Sequence, residues 1–377
     1  MIEKTATRRP WCIAHSEASL GWGGQEHRIL AELAGFQERG SQVWLLAPPE
    51  SQIIQRADKA GIPTVPLDFA KHRFPLNALH LARWLKQQRI EILNPHSSRD
   101  GWLLGVAGRL ARVPFIVRTR HFDVPIPNPW LSRLVYVRLC DHILTTSPKV
   151  TDHLRACFGL PLERVTTVST GVDLEQFAPV GPVAHLVPEA QTGKIPLIGM
   201  VTVIRHAKGC QTLVAAVKLL KEAGFPAHYV IVGEGPWRPS VEQIVREAKL
   251  AGDFTFAGHR DDVPAVLRAL SVLVIPSLHE AVPQTGLQAL ATQTPVIGSN
   301  VGGIPEIIRH GETGRLFPAG DAAALAAAIR ETVENEAATR ALSARGRAFV
   351  AANHSRDLML DKIEALYRRH LPEPRTE

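Results

Sequence analysis

No apolar run in this chain approaches the roughly 18 residues needed to cross a bilayer. The opening residues, MIEKTATRRPWCIAHS, lack the apolar core of a signal peptide. Cysteine is scarce: Cys12, Cys140, Cys157 and Cys210 form no CxxC pair and no metal-ligand spacing. That excludes a disulfide framework, and each reads as a small buried residue in a reducing compartment. The adjacent acids Asp261-Asp262 stand just before an expected helix and read as caps, so no metal site and no cofactor is implied. The dinucleotide fingerprint GxGxxG is missing, and the second candidate strand runs out as Leu45-Leu46-Ala47-Pro48-Pro49 with no acid to hold a ribose. These exclusions leave a cytoplasmic protein, with the inner face of the cell membrane as a possible contact.

What is present suits a globular protein of about two domains. The 377 residues are 45% hydrophobic and 21% charged, with a formal net charge of +7. The charge is uneven: the first 180 residues hold 22 Lys and Arg against 16 Asp and Glu. A basic first half suits an anionic partner or, equally, solvated surface charge.

Short apolar runs alternate with longer amphipathic stretches. The candidate strands of the first half are Trp11–Ala14, Gln42–Leu46, Thr64–Leu67, Glu91–Asn94, Pro114–Arg118, His142–Thr145 and Arg164–Val168. Those of the second half are Leu197–Val203, His228–Val232, Phe254–Ala257, Val272–Pro276 and Pro295–Gly298. Strand–helix alternation of this kind predicts α/β architecture with parallel sheets covered on both faces. The Pro- and Gly-containing stretch 179–195 has no period and reads as a linker. The expected organisation is therefore an N-terminal Rossmann-like domain over 1–178, a second over 196–353, and a terminal helix over 354–377. Two doubly wound domains facing each other would form a cleft at the carboxyl ends of their strands.

Three loops at such strand ends could carry chemistry. SLGWGGQE (Ser19–Glu26) places Gly23 and Gly24 before a helix, where backbone can approach a ligand closely, although turn geometry explains such glycines as readily. IRHAKG (Ile204–Gly209) sets Arg205 and Lys208 three apart at a strand–helix junction, where both could reach one diphosphate. In PSLHEAVPQTGLQALATQ, Glu280 precedes a helix whose first turn, Thr285, Gly286 and Leu287, should offer N–H groups without intrahelical partners. Gln288 lies one turn further in. Sugar hydroxyls at Glu280, phosphate at the helix start and ribose at Gln288 would fit, while a helix-capping role for Glu280 is the alternative.

At this point the chain resembles the retaining glycosyltransferases of family 4, which have the GT-B fold. The motifs occur in order over nearly the whole length: GGQEHRILAELAGFQERG, RTRH, TGVDLEQFAP, VIRHAKG, VGEGP, the Glu280 loop and PVIGSNVGGIPEII. The resemblance implies transfer of a sugar from a nucleotide-diphosphate donor, UDP- or GDP-linked, to an acceptor glycan or glycolipid, with retention and without metal. It implies Arg205 and Lys208 on the donor diphosphate, and Glu280 on the donor sugar as the first acid of an E-x7-E motif. Thr285–Leu287 would supply backbone to sugar and phosphates, Gly23 and Gly24 the loop closing over the diphosphate, and His121 a histidine near the transferred sugar. The acceptor would sit near Glu26, His27, Arg120, His121 and the Arg118–Asp123 loop, with Arg99 and Arg118 as further cations. The terminal helix Arg356–Leu371 would pack on the N-terminal domain.

Gln288 departs from the pattern, since the second motif acid is a glutamine here. Its carbonyl still accepts a ribose hydrogen bond, without the gain that charge gives. Thr170 is a smaller departure, standing where the family often has Asn. The stretch Lys71–Arg89, with Phe74, Leu79, Trp84 and Leu85, reads as a surface helix, with membrane contact as its alternative. The rival readings are a sugar-nucleotide epimerase of the same fold and a catalytically weakened sugar-nucleotide-binding subunit. No nucleic-acid motif accompanies the basic charge.

Overall fold

The computed structural model describes residues 9–70, 74–121, 125–126, 129–187 and 195–371. The Phe122–Asp123 part of the expected acceptor loop lies outside them. The chain divides into two compact units, Met1–Gly171 with Arg356–Glu377, and Val172–Ser355. The first unit runs β1 (Cys12–Ser16), α1 (Gly24–Glu38), β2 (Gln42–Ala47), α2 (Gln52–Lys59), β3 (Thr64–Pro66), α3 (Phe74–Gln87), β4 (Ile92–Pro95), α4 (Ser98–Ala111), β5 (Phe115–Arg120), α5 (Pro129–Val137), β6 (His142–Thr145), α6 (Pro148–Phe158) and β7 (Val165–Thr167). The second runs β8 (Leu197–Val201), α7 (Cys210–Glu222), β9 (His228–Val232), α8 (Arg238–Glu247), β10 (Phe254–Gly258), α9 (Val263–Ala269), β11 (Val272–Ile275), α10 (Gln284–Ala291), β12 (Val296–Ser299), α11 (Ile304–Ile307), β13 (Arg315–Phe317), α12 (Ala322–Glu334) and α13 (Glu336–Asn353). A last helix, α14 (Arg356–His370), belongs to the first unit.

Each unit holds one parallel sheet, ordered β3-β2-β1-β4-β5-β6-β7 in the first and β10-β9-β8-β11-β12-β13 in the second. Side-chain alternation divides each core between two faces. Cys12 and Ala14 face one cluster with Leu81, Leu104 and Ile143, whereas Ile13 faces the other with Ile29, Leu33 and Phe36. Met359, Leu360, Ile363, Leu366 and Tyr367 of α14 complete that second cluster. In the second unit Tyr229 and Ile231 face one cluster, Val230 and Val232 the other.

Four expectations are corrected. The unit boundary falls after Gly171, not after 178. The start of the supposed linker is docked, with Leu186 buried and the Ala184 N–H bonded to the Ala265 carbonyl at 3.0 Å. Cys157 is exposed, unlike the other three cysteines. Asp262 holds the N-cap position of α9 but its carboxylate pairs with Arg260 rather than capping. The three-residue strand β13 had no counterpart in the sequence reading, because RLF sits between turn-forming residues and is too short to show a period.

In the stretch Lys71–Arg89, Leu85 is core, Phe74 and Trp84 pack against it, and Leu79 is exposed. That is the pattern of a surface helix. Among the described residues no helix is long and apolar enough to cross a membrane.

Candidate active site

Strand order reverses between β1 and β4 in the first sheet and between β8 and β11 in the second. Crevices open at the carboxyl ends of strands at such switch points.

In the second unit β8 leads into Arg205 and a single turn, His206–Lys208, closed by Gly209. Gly209 has φ +70, and a Cβ there would lie 1.8 Å from the Pro276 carbonyl oxygen, so only glycine fits. That contact presses the β8 loop onto the loop leaving β11. The Leu278 N–H bonds the Ala207 carbonyl at 2.8 Å. Glu280 then meets the Lys208 ammonium and accepts from the Ser277 hydroxyl at 3.1 Å. The carboxylate is therefore not a helix cap. The Glu280 and Lys208 side chains are 12% and 25% exposed, so the pair is shielded without being sealed. Arg205 is exposed.

Gly302, beyond β12, supports the same loop from below. Its φ is +56 and a Cβ would lie 1.8 Å from the Glu280 carbonyl oxygen. The neighbouring Gly303 N–H bonds the Ala281 carbonyl at 3.1 Å.

The start of α10 corrects the sequence reading. The Gly286 and Leu287 N–H groups both turn to the Pro283 carbonyl, at 3.1 and 3.4 Å, and both residues are buried. The tight first turn takes two of the three donors expected to be free. Thr285 is partly exposed, as is Gln288, which lies one turn in.

In the first unit Gly23 has φ −165 and ψ −165, extended backbone that any residue adopts. Gly21, Gly23 and Gly24 all lack positive φ. A Cβ at Gly23 would meet Glu26 Oε2 at an ordinary 3.5 Å. Turn geometry therefore does not account for the glycine at 23.

Glu26 is buried in the first turn of α1, and His27 is exposed with its ring 4.2 Å from Trp22. Arg120 ends β5 and reaches the Tyr136 hydroxyl at 3.4 Å. Arg99 is exposed on α4. Arg118 is not a surface cation: it is 3% exposed, lies 4.6 Å over the Tyr136 ring, and occupies the space a Cβ at Gly101 would need.

His121 is buried and leads to residues that sequence reasoning missed. Its Nε2 lies 2.8 Å from His96 Nδ1, and His96 Nε2 lies 3.0 Å from His15 Nδ1. Burial and the nearby Arg28 guanidinium hold His121 and His96 well below the ordinary histidine range and His15 at about 3. All three imidazoles are neutral at pH 7. Beside them Asp100 accepts from Ser16 Oγ at 2.8 Å and from the His96 and Ser97 N–H groups at 2.9 and 2.8 Å.

Glu17, just past β1, accepts from the Ser19 N–H at 2.8 Å; burial, then Asp100, raises it to about 8. His15, Glu32 and His96 have ligand atoms within 4.8 Å of one another, and the His15–His96 bond engages His15 Nδ1 and His96 Nε2. The polar tract N-P-H-S-S-R-D at the end of β4, with Ser97 and Asp100 in capping-box spacing, was the signal available for this cluster.

Two open parallel sheets, each with polar residues gathered at its switch point, give an α/β architecture of the kind that binds ligands at strand carboxyl ends. Comparison gives the class. A model described as "Glycosyltransferase Family 4" matches residues 22–176, and one described as "Glycosyl transferases group 1" matches 195–335. The chain is 34% identical over 299 residues to a 2-deoxystreptamine glucosyltransferase of Streptomyces kanamyceticus, covering 73% of this chain and 77% of the relative.

Among solved structures a glycosyltransferase of Rickettsia africae superposes with TM-score 0.83 at 20% identity, covering 97% of this chain and 100% of that one. Anabaena Alr3699/HepE in complex with UDP and glucose does so with TM-score 0.79 at 16% identity, covering 94% and 99%. The chain belongs to the family 4, group 1 glycosyltransferases, which have the GT-B fold.

Proposed function

We propose that this enzyme transfers a hexose from a UDP- or GDP-linked donor to an acceptor glycan or glycolipid of a surface-polysaccharide or lipopolysaccharide precursor, with retention. The observation carrying this reading is the Glu280–Lys208 pair, held beside Arg205 and the start of α10 at the β8/β11 switch point. Lys208 and Arg205 supply positive charge for a departing diphosphate, and the Thr285 turn adds the positive end of a short helix. Glu280, anchored by Lys208 and Ser277, is the acceptor for donor-sugar hydroxyls.

In the proposed step the bond from the anomeric carbon to the diphosphate oxygen breaks. The acceptor oxygen bonds the same face of that carbon, and its proton passes to the departing phosphate oxygen. No protein nucleophile and no metal or cofactor is assigned. In this proposal Gln288 and the turn Thr285–Leu287 of the second unit bind the donor, with Gly286 and Leu287 acting through packing, and the first unit contributes Gly23 and Gly24 toward the donor and His121 toward the transferred sugar. Glu26, His27 and Arg120 address the acceptor, although burial of Glu26 limits it to an indirect part.

A UDP donor is supported by HepE, which was solved with UDP and glucose, and glucosyl transfer by the name of the Streptomyces relative. Peripheral contact with an anionic membrane is proposed for α5, which exposes Trp130 at 83%, with Leu131 and Leu134 beside Arg133.

The deciding experiment is transfer by Glu280→Ala and Lys208→Ala, after a thermal-shift screen of UDP-, GDP- and ADP-sugars identifies the donor. Loss of one interaction made as charge develops corresponds to about 3 kcal/mol, or roughly 100-fold in kcat. Full activity in both folded variants removes the assignment.

A further inference from the structure

His15, His96 and His121 stand at the ends of the three neighbouring strands β1, β4 and β5, and two hydrogen bonds join their rings. Ring centroids lie 4.9 and 5.1 Å apart. Each neutral imidazole carries one proton, and each bond needs one proton between its two nitrogens. Only two arrangements satisfy both conditions. Either all three rings carry the proton on Nδ1, or all three carry it on Nε2. The middle ring can serve one bond, which forces the outer rings to follow.

The far end of the chain decides between the two. His15 Nε2 is buried with no hydrogen-bond partner among the described residues. A proton there would be an orphaned buried N–H, which folded proteins avoid more strictly than an unused lone pair. His15 Nδ1 lies 4.0 Å from Glu32 Oε2, itself without another partner and fully buried. That oxygen favours a proton on Nδ1. Glu32 is fixed in turn by Arg28, whose Nε donates to Oε1 at 2.6 Å and whose Nη1 donates to the Val168 carbonyl at 2.6 Å.

We infer that His15 and His96 are positioning residues that lock His121 in its Nδ1–H form, so that Nδ1 already carries its proton and His121 cannot act as a base there. The proton order is His15 Nδ1–H to His96 Nε2, then His96 Nδ1–H to His121 Nε2. This inference rests on the proposed place of His121 beside the transferred sugar. It agrees with a step in which the departing phosphate, not a histidine, takes the acceptor proton.

The test is long-range proton–nitrogen NMR of the full chain with labelled histidine side chains, the three rings assigned by single substitutions. The expected result is the Nδ1–H pattern for His15, His96 and His121 at pH 7. In His96→Phe the His121 ring should become a mixture of tautomers, and kcat should fall about tenfold with the donor KM unchanged. His96→Asn places an amide N–H near the position of Nδ1 and should restore the His121 pattern and most of kcat.

An Nε2–H pattern in the wild type, or an unchanged His121 pattern in His96→Phe, overturns the inference. Should His96→Phe fail to fold, His15→Leu puts the same question from the other end, with the same two outcomes. The functional reading fails separately, through full activity of His121→Ala, and the wild-type spectrum does not depend on that result.

Discussion

Replacing Gly302 by alanine would test whether Glu280 is held by the backbone beneath it. At φ +56 an alanine pays about 1 kcal/mol relative to glycine for the left-handed conformation. Its Cβ would also begin 1.8 Å from the Glu280 carbonyl oxygen, against an ordinary carbon–oxygen contact of about 3.2 Å. The two loops must separate by roughly 1.4 Å, the difference between those distances. The bond from the Gly303 N–H to the Ala281 carbonyl, 3.1 Å long, spans the same gap. Losing it costs about 1 kcal/mol.

Together these give a destabilisation of about 2–4 kcal/mol, or a fall in Tm of about 5–15 °C for a unit of this size. A shift of about 1 Å in a positioned group can cost roughly 100-fold in rate. Scanning calorimetry with transfer assays well below the lowered Tm would read both effects. A variant with wild-type Tm and wild-type kcat would refute the packing of Gly302 under Glu280, and with it the account of how this loop is placed.

Gly23→Ala should do the opposite: the space and extended backbone at 23 accept a methyl, so Tm should hold within about 1 °C while transfer falls about tenfold. Equal losses of stability and rate would return that glycine to a folding role. Gln288→Glu should tighten donor binding several-fold in calorimetric titration, because a charge-assisted bond is roughly twice as strong as a neutral one; weaker binding would place ribose elsewhere. Sedimentation with vesicles rich in anionic lipid should retain the wild type and lose Trp130→Ser, and no binding by either removes the proposed membrane contact.

Stability should also respond to pH with two signs. His15, His96, His121 and His142 are depressed by burial, so their contribution is fully present above the unfolded value near 6.5 and is lost as pH falls below it, for His15 and His142 down to about 3, at about 1.4 kcal/mol per unit per histidine. Glu17 is raised to about 8, so its contribution runs the other way, declining as pH rises from about 4.5 to 8. Tm should therefore peak near pH 6.5 and fall more steeply on the acid side; a Tm that rises from pH 6.5 to 5 contradicts the burial of the histidines.

Arg205, Lys208 and Glu280 were legible as candidates because each lies in a short loop directly after an apolar strand, where position along the chain predicts position in space. His15 and His96 were not. Their partners are 81 and 25 residues away in sequence, and no local period announces a hydrogen bond between strand ends. His15 and Ser16 also interrupt the apolar run used to end the first strand at Ala14, although pairing with β2 and β4 carries that strand to Ser16. Gly302 shows the same limit from another side. Its glycine is required by the carbonyl of Glu280, a contact that a sequence cannot display.

The charge excess of the first half carries a different lesson, since counting cations treats each as available to a partner. Arg28 is 1% exposed and bonded to Glu32 and the Val168 carbonyl. Arg118 is buried over Tyr136. Arg164 donates to the carbonyls of Asp141, Val137 and Cys140, and Arg39 pairs with Asp361 and Glu364 of α14. Guanidinium groups suit this work because a planar fork of donors can satisfy several carbonyl oxygens at once. Four cations of the first half are thus spent on its own interior and on the returning helix. Part of the basic composition there is thus a means of closing the fold, and the anionic donor is better sought at Arg205 and Lys208, in the half whose net charge is nearly zero.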